Sequence, residues 1–312
     1  MTRLSRILVT FDIHAYPGAE NEVPLWIDKT LEVLASLSIK ASFFIPAAFA
    51  EEIPARVRMI VKDGHEIGCH GMTHGAGEEY NVLPYERQKA MLAEAKKRIE
   101  AVAGREVISF RAPAFKISGA TVKALEEAGF RADLSVTSQR LGILGSDVAN
   151  IGWLYSPRSP YHPDYRNPFR RGDSSLWEIP PSAFILPFSS NLIIASGGTL
   201  IKMFFKLLSA ESRLRRNPIV YMAHPEEVYP RDIKYKYQFQ WKHLLPSKRD
   251  GFILRYILLH NKDGKKISRD NINLMKLMKA TKNVTFVTVK EMVESLERER
   301  DDGCHRRQAY QE

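Results

Sequence analysis

ILVTFDIH, residues Ile7 to His14, joins a short apolar and β-branched run to an aspartate and a histidine. Ile7 to Phe11 reads as a buried strand, because such a run bounded by turn signals suits a pleated surface covered on both faces. Pro17 and Gly18 then mark a loop, and apolar residues at Trp26, Leu31, Leu34 and Leu37 follow with helical spacing. The unit is strand, loop, helix.

The same order recurs along the chain. SFFIP (Ser42 to Pro46) reads as a strand, a helix through Val57 and Ile60 follows, and HEIGCH (His65 to His70) reads as the next strand. An amphipathic helix is expected over residues 84–103, with Glu94 one helical turn before Arg98. ISFRAP (Ile108 to Pro113) precedes a helix over residues 118–128, for which Ser118 is a suitable cap and Gly129 a suitable stop. Further strands are expected at ADLSV, LWEIP (Leu176 to Pro180), IVYMAH (Ile219 to His224) and VTFVTV (Val284 to Val289). About eight strands separated by helices or long loops indicate an α/β fold, either a parallel barrel or a doubly wound sheet. Neither GxGxxG nor GxxxxGK[ST] occurs, so a nucleotide site has no sequence support, and no repeat of fixed period is seen.

The 312 residues, 44% hydrophobic and 26% charged, suit a globular protein with a substantial core. The first residues lack the apolar core of about 7–15 residues that marks a secretory signal. Cys69 and Cys304 provide no disulfide framework. A cytoplasmic protein is expected, with peripheral contact at the inner membrane surface as an extension. The net charge of +10 is localised, because residues 231–283 carry 14 Lys and Arg against 4 Asp and no Glu. This segment, interleaved with aromatics from Tyr235 to Trp241, reads either as a solvated face or as a surface for anionic partners. Residues 183–208 are the most apolar stretch, but Pro187, the Gly197-Gly198 pair and two lysines exclude a membrane span. They read as core or as a lipid-facing surface.

Chemistry collects where strands end. Asp12 and His14 follow the first strand, His70 ends the third with His74 just beyond, Arg111 ends the fourth or fifth, and His224 ends IVYMAH. In a parallel barrel these carboxyl ends share one face, which is where active sites are built. A His-x₃-His pair beside glycines suits a metal ion, and Asp12 and His14 alternate so that an extended chain presents both on one side. Two capping or core histidines would produce the same spacing. His65, His162, His243, His260 and His305 match no pattern, and Cys69 should point away from its neighbour His70.

VTFD (Val9 to Asp12), HGMTH (His70 to His74), FRAP (Phe110 to Pro113), LWEIP and YMAHP (Tyr221 to Pro225) occur in an order that resembles the polysaccharide deacetylase family, the NodB-homology carbohydrate esterases of family 4. The resemblance is to the branch whose first motif reads Asp-x-Asp or Asp-x-Glu. It implies a distorted (β/α)7-8 barrel over residues 1–298, with a basic insertion at about 228–283 and a polar tail at 299–312. It also implies hydrolysis of an N-acyl group, acetyl or formyl, from an amino sugar. Matched position by position, Asp12 is the catalytic base, Arg111 its orienting partner and His224 the general acid. His70 and His74 are metal ligands. His14 stands where the branch has a carboxylate ligand, so a site of three histidines is expected, with Zn²⁺ as the ion and Co²⁺, Mn²⁺, Fe²⁺ or Ni²⁺ as alternatives. The family's oxyanion donor falls at Ala114, with Phe115 next, where an aromatic residue is usual.

The expected substrate is an amino sugar in a glycan, glycolipid or nucleotide-linked precursor, and no nucleic acid partner is expected. Two other readings share much of the pattern: an amidohydrolase of cyclic imides or ureides, and a metal-free barrel that binds anionic partners. Glu178 reads as a barrel anchor or a substrate contact, and Glu226 and Glu227 as solvated.

Overall fold

The computed structural model describes residues 4–14, 21–75, 77–139, 151–230, 246–247, 251–252 and 263–308. The chain opens with β1 (Ser5–Asp12) and α1 (Val23–Leu37), then β2 (Ser42–Ile45), α2 (Ala47–Glu52), α3 (Pro54–Lys62) and β3 (Glu66–Cys69). It continues through α4 (Tyr85–Ala103), β4 (Ser109–Phe110), α5 (Gly119–Glu127), β5 (Ala132–Asp133), α6 (Gly152–Tyr155) and β6 (Trp177–Glu178). A hairpin of β7 (Ala183–Phe184) and β8 (Leu186–Pro187) leads to α7 (Ser190–Ser196), α8 (Gly198–Arg215) and β9 (Ile219–Ala223). A small ladder of β10 (Pro246–Ser247) and β11 (Gly251–Phe252) precedes α9 (Gly264–Ala280), β12 (Val284–Phe286) and α10 (Val289–Gln308).

Eight parallel strands form one curled sheet centred on β1. Ile7 pairs with both Ile219 and Phe286, and Thr10 with both Met222 and Ser42. β9 therefore holds one edge of β1, while β12 and β2 share the other, β12 along its first half and β2 along its second. From β2 the sheet runs through β3, β4, β5 and β6. The gap back to β9 is spanned by Ser182, whose N–H donates to Val220 O at 3.1 Å, and by a bridge from Ser189 to Met222. The result is the expected distorted barrel.

β1 is buried on both faces, as its sequence requires. Ile7, Val9, Phe11 and Ile13 join the outer core beneath the helices. Leu8 enters an inner cluster with Phe44, Ile108, Leu134, Ile179 and Val220, into which the first turns of α10 insert Val289, Met292 and Val293. Thr10 and Asp12 continue the inward-facing row of Leu8 toward the carboxyl end, so polar groups stand directly above an apolar plug.

Several local expectations meet the structure closely. α4 begins one residue after Pro84, and Arg98 Nε donates to Glu94 Oε1 at 2.7 Å. α5 starts with a capping box between Ser118 and Thr121, and Gly129 ends it at φ 77°. Three expectations change. The VTFVTV strand stops at Phe286, because α10 begins at Val289 and fills the barrel bottom. α10 then runs to Gln308, so helix replaces much of the expected polar tail. The expected basic insertion of 228–283 includes α9, a helix that buries Ile267, Leu274, Met275 and Met278 against the core. Lys234, Lys236, Lys242 and the Tyr235 to Trp241 run lie outside the described residues. The apolar 183–208 stretch divides between the two readings: α7 and the inner face of α8 are core, while the hairpin and the outer face of α8 are exposed. Among the described residues no helix is long and apolar enough to cross a membrane.

Candidate metal centre and acid–base site

Each candidate residue lies at or just past the carboxyl end of a parallel strand. Asp12 ends β1 and His14 follows two residues later; His70 follows β3, Arg111 follows β4 and His224 follows β9. Backbone bonds continue the ladder far enough to aim these side chains. Ile13 N–H donates to Phe44 O at 2.8 Å, His70 N–H to Ile45 O at 2.9 Å and Arg111 N–H to Cys69 O at 2.9 Å.

Arg111 is fully buried and Asp12 nearly so. Arg111 Nη1 donates to Asp12 Oδ1 at 2.6 Å and Nη2 to Thr10 Oγ1 at 3.0 Å. Thr10 in turn donates to Tyr221 O at 2.9 Å, so the base, its partner and the neighbouring strand form one network. The guanidinium also lies over the Phe44 ring at 4.4 Å. Burial alone would raise the Asp12 carboxyl, but the Arg111 charge, aided by His70 and His224, outweighs it and holds the group below the ordinary aspartate value. Asp12 is therefore an anion.

His14, His70 and His74 meet beside it. Their ring centroids are 5.2 Å (His14–His70), 4.3 Å (His14–His74) and 4.9 Å (His70–His74) apart. One ligand atom from each lies within 4.8 Å of the others. His70 Nδ1 is 2.7 Å from Arg111 O, and since a carbonyl only accepts, the proton sits on Nδ1 and the Nε2 lone pair is left for a ligand. Burial disfavours charge on all three rings: it presses His70 down to about 3, and lowers His14 and His74 as well. Three neutral imidazoles are a suitable donor set for a borderline divalent ion such as Zn²⁺, with a position open for water. The residues present fit the metal that the sequence implied.

The loop that carries His74 is organised by Glu78, which sequence reading missed. Its buried carboxylate accepts from the N–H groups of Met72, of Thr73 (2.8 Å) and of His74 (2.8 Å), and from Tyr80 Oη at 2.9 Å. Gly71 has φ 84°, and a Cβ there would collide with Glu78 Oε1. Only glycine lets the backbone wrap the carboxylate this closely. His74 itself adopts φ 61°.

His224 lies with its ring centroid 4.9 Å from that of His14. Glu226 and Glu227 are buried rather than solvated, correcting the sequence expectation. Glu227 Oε2 lies 3.2 Å from His224 Nδ1 and accepts from His224 N–H at 2.7 Å, inside the short 3₁₀ turn Pro225–Glu227. Burial favours a neutral imidazole, but the carboxylates of Glu227 and Glu226 override it and push His224 up to about 10. The spacing of Glu227 three residues after His224 is that of a capping box, a signal the sequence already held.

Ala114 and Phe115 follow in the turn Pro113–Phe115, both with positive φ, 55° and 60°. Phe115 N–H donates to Ala112 O at 3.0 Å and is committed within the turn. Cys69 is buried with its thiol pushed up to about 12 by burial, and its Sγ lies 3.8 Å from Gly71 O. It is an inert core residue.

Glu178 is a barrel anchor. It pairs in register with Asp133, accepts from Val136 N–H at 3.0 Å, and burial raises it well above the ordinary range, with Asp133 pushed up to about 7 by the same cause. Asp133 accepts from Ser135 Oγ, which accepts from Ala112 N–H at 2.8 Å. The two acids thus hold the backbone beside Arg111.

Comparison with known proteins places this geometry. The profile of the polysaccharide deacetylase family matches residues 2–132. A peptidoglycan deacetylase-like protein of Gibberella zeae is 31% identical over 36% of this chain and 32% of its own. A peptidoglycan deacetylase of Helicobacter pylori is 25% identical over 51% of this chain and 53% of its own. The chain therefore aligns with about a third to a half of the length of these curated relatives. A solved structure described as a putative polysaccharide deacetylase from Mycobacterium smegmatis superposes with a TM-score of 0.63 at 18% identity, covering 96% of this chain and 92% of that one, which extends the shared fold beyond residue 132. Residues 2–132 thus match the polysaccharide deacetylase family, and the barrel fold shared with the Mycobacterium smegmatis structure spans nearly the whole chain.

Proposed function

We propose that this protein is a metal-dependent hydrolase that removes an acetyl or formyl group from the nitrogen of an amino sugar. The observation that carries the reading is the convergence of an arginine-bound carboxylate, three neutral imidazoles and a carboxylate-paired imidazole at one end of the barrel.

His14, His70 and His74 would hold the ion, Zn²⁺ being the best match to three nitrogen donors. When bound, such an ion supplies Lewis acidity to an amide carbonyl and to water. Asp12, kept ionised by Arg111, accepts the proton of the attacking water. Arg111 fixes the orientation of that carboxylate while Thr10 fixes Arg111. The oxyanion donor is assigned to the backbone at Ala114, the position where the resemblance to the family places it. His224, carrying its proton through Glu227, donates it to the departing amine. The products are a carboxylate and a free amino sugar.

The test is turnover of N-acetylated and N-formylated amino-sugar substrates by the purified protein after Zn²⁺ loading, read as released acetate or formate. Asp12→Asn should reduce turnover about 100-fold or more while leaving metal stoichiometry near one. Absence of turnover across glycan, lipid-linked and nucleotide-linked N-acyl sugars, with metal bound, would overturn the proposal.

A further inference from the structure

The helix α8 buries one face through Ile201, Phe204, Phe205 and Leu208, yet its opposite face is also apolar. Leu200, Met203, Leu207, Ala210 and Leu214 recur at intervals of three and four residues, so they form one line about 21 Å long on the outer surface. Leu207 is 68% exposed and Leu214 85%. The β7–β8 hairpin stands beside this helix. Arg158 pairs with Glu211 of α8 at 2.5 Å and lies 5.5 Å from the ring of Phe184 on the hairpin. The hairpin apex, Ile185, is 53% exposed and has φ 63°, a conformation that disfavours a β-branched side chain. Its N–H donates to Gln139 O at 2.8 Å, which holds it there. Strain and exposure thus combine to keep an apolar residue in water.

We propose that the outer face of α8, together with the Phe184-Ile185-Leu186 apex, docks on an anionic lipid bilayer surface. Charge decides the occupant. From Gly198 to Arg216 the segment carries Lys202, Lys206, Arg213, Arg215 and Arg216 against Glu211 alone, a net of five minus one, and Glu211 is already paired with Arg158. Lys206 and Arg213 each precede a residue of the apolar line by one position, so they flank it on the same side. A second copy of α8 laid antiparallel on this face would set these cations against each other. A layer of phosphate headgroups pairs with them while the apolar line enters the acyl boundary, the arrangement of an amphipathic helix lying in the interface. This inference is independent of the proposed reaction.

The experiment is flotation of the metal-loaded full chain with phosphatidylcholine vesicles, with and without about 30% phosphatidylglycerol, at physiological salt. Binding is expected on the anionic vesicles and not on phosphatidylcholine alone. Met203→Gln/Leu207→Gln should weaken it about tenfold or more, since the apolar line no longer inserts. Lys206→Glu/Arg213→Glu should weaken it by at least about fivefold for each charge changed. All four residues are exposed, and Arg213 Nη2 makes a long 3.4 Å contact to Lys282 O, so both variants should keep a melting temperature close to wild type and their bound metal. Three results would each overturn the proposal: no binding to either vesicle, anionic binding unchanged in Met203→Gln/Leu207→Gln, or a solution dimer that this variant dissociates.

Discussion

Arg111 reaches across 99 residues of sequence to donate to Asp12 at 2.6 Å, and neither side chain has appreciable contact with water. The pair ties the carboxyl end of β4 to that of β1 on opposite sides of β2 and β3. Such a pair costs most when one partner is removed, because the other is left charged and buried. Arg111→Ala should therefore destabilise the fold by about 3–5 kcal/mol in denaturant unfolding. The double substitution Asp12→Asn/Arg111→Met should recover much of that loss without restoring activity.

Glu78 and Gly71 make a separate prediction about the metal. Glu78→Gln removes a charge that accepts from consecutive N–H groups leading to His74, so the loop should loosen while the barrel stays folded. Zinc affinity should fall about 10–100-fold, the range expected when a group that orients a ligand is lost. Gly71→Ala, with its added Cβ driven into Glu78, should lower affinity at least as far. Competition with a chromophoric chelator measures both.

Acid should release the metal and destabilise the apo chain together. His70 is depressed to about 3 from an ordinary 6.5, with His14 and His74 depressed too, so the unfolded state binds more protons than the folded state as pH falls below 6.5. The stability contributed by these neutral rings is complete above 6.5 and is lost as pH drops toward 3. Apo-protein melting temperature and zinc occupancy should both decline over that window. An apo melting curve flat from pH 7 to 4 would contradict the buried, neutral cluster.

His224 has the opposite sign. Its folded value is raised to about 10 although burial opposes charge, because Glu227 and Glu226 face it. Its stabilising contribution is complete below 6.5 and disappears as pH rises through 10. Glu227→Gln should lower the alkaline limb of the rate profile and cut kcat about 10-fold, with less effect on KM. An unmoved alkaline limb would assign the acid elsewhere.

The lesson of Glu227 extends to the molecule as a whole. Short-range patterns carried the strands, α4 with its Glu94–Arg98 pair, the Ser118 cap and the residues poised at strand ends, because each depends on local spacing alone. The motifs in their order carried the family resemblance and hence the barrel. Contacts closed over long distances did not show: Asp133 against Glu178, and the insertion of Val289 and Met292 into the barrel. Glu78 lay near in sequence, yet only a backbone wrapped at Gly71 turns its carboxylate onto the loop that carries His74. Nor could hydropathy say which side of α8 is core, since a helix apolar on two faces has no single preferred orientation until β9, α7 and α9 pack against one of them. Chain order and side-chain chemistry set the candidates for the site. Only three-dimensional closure brought Asp12 and His224 to one centre, because charge pairing, ligand geometry and burial depend on distance in space rather than separation along the chain.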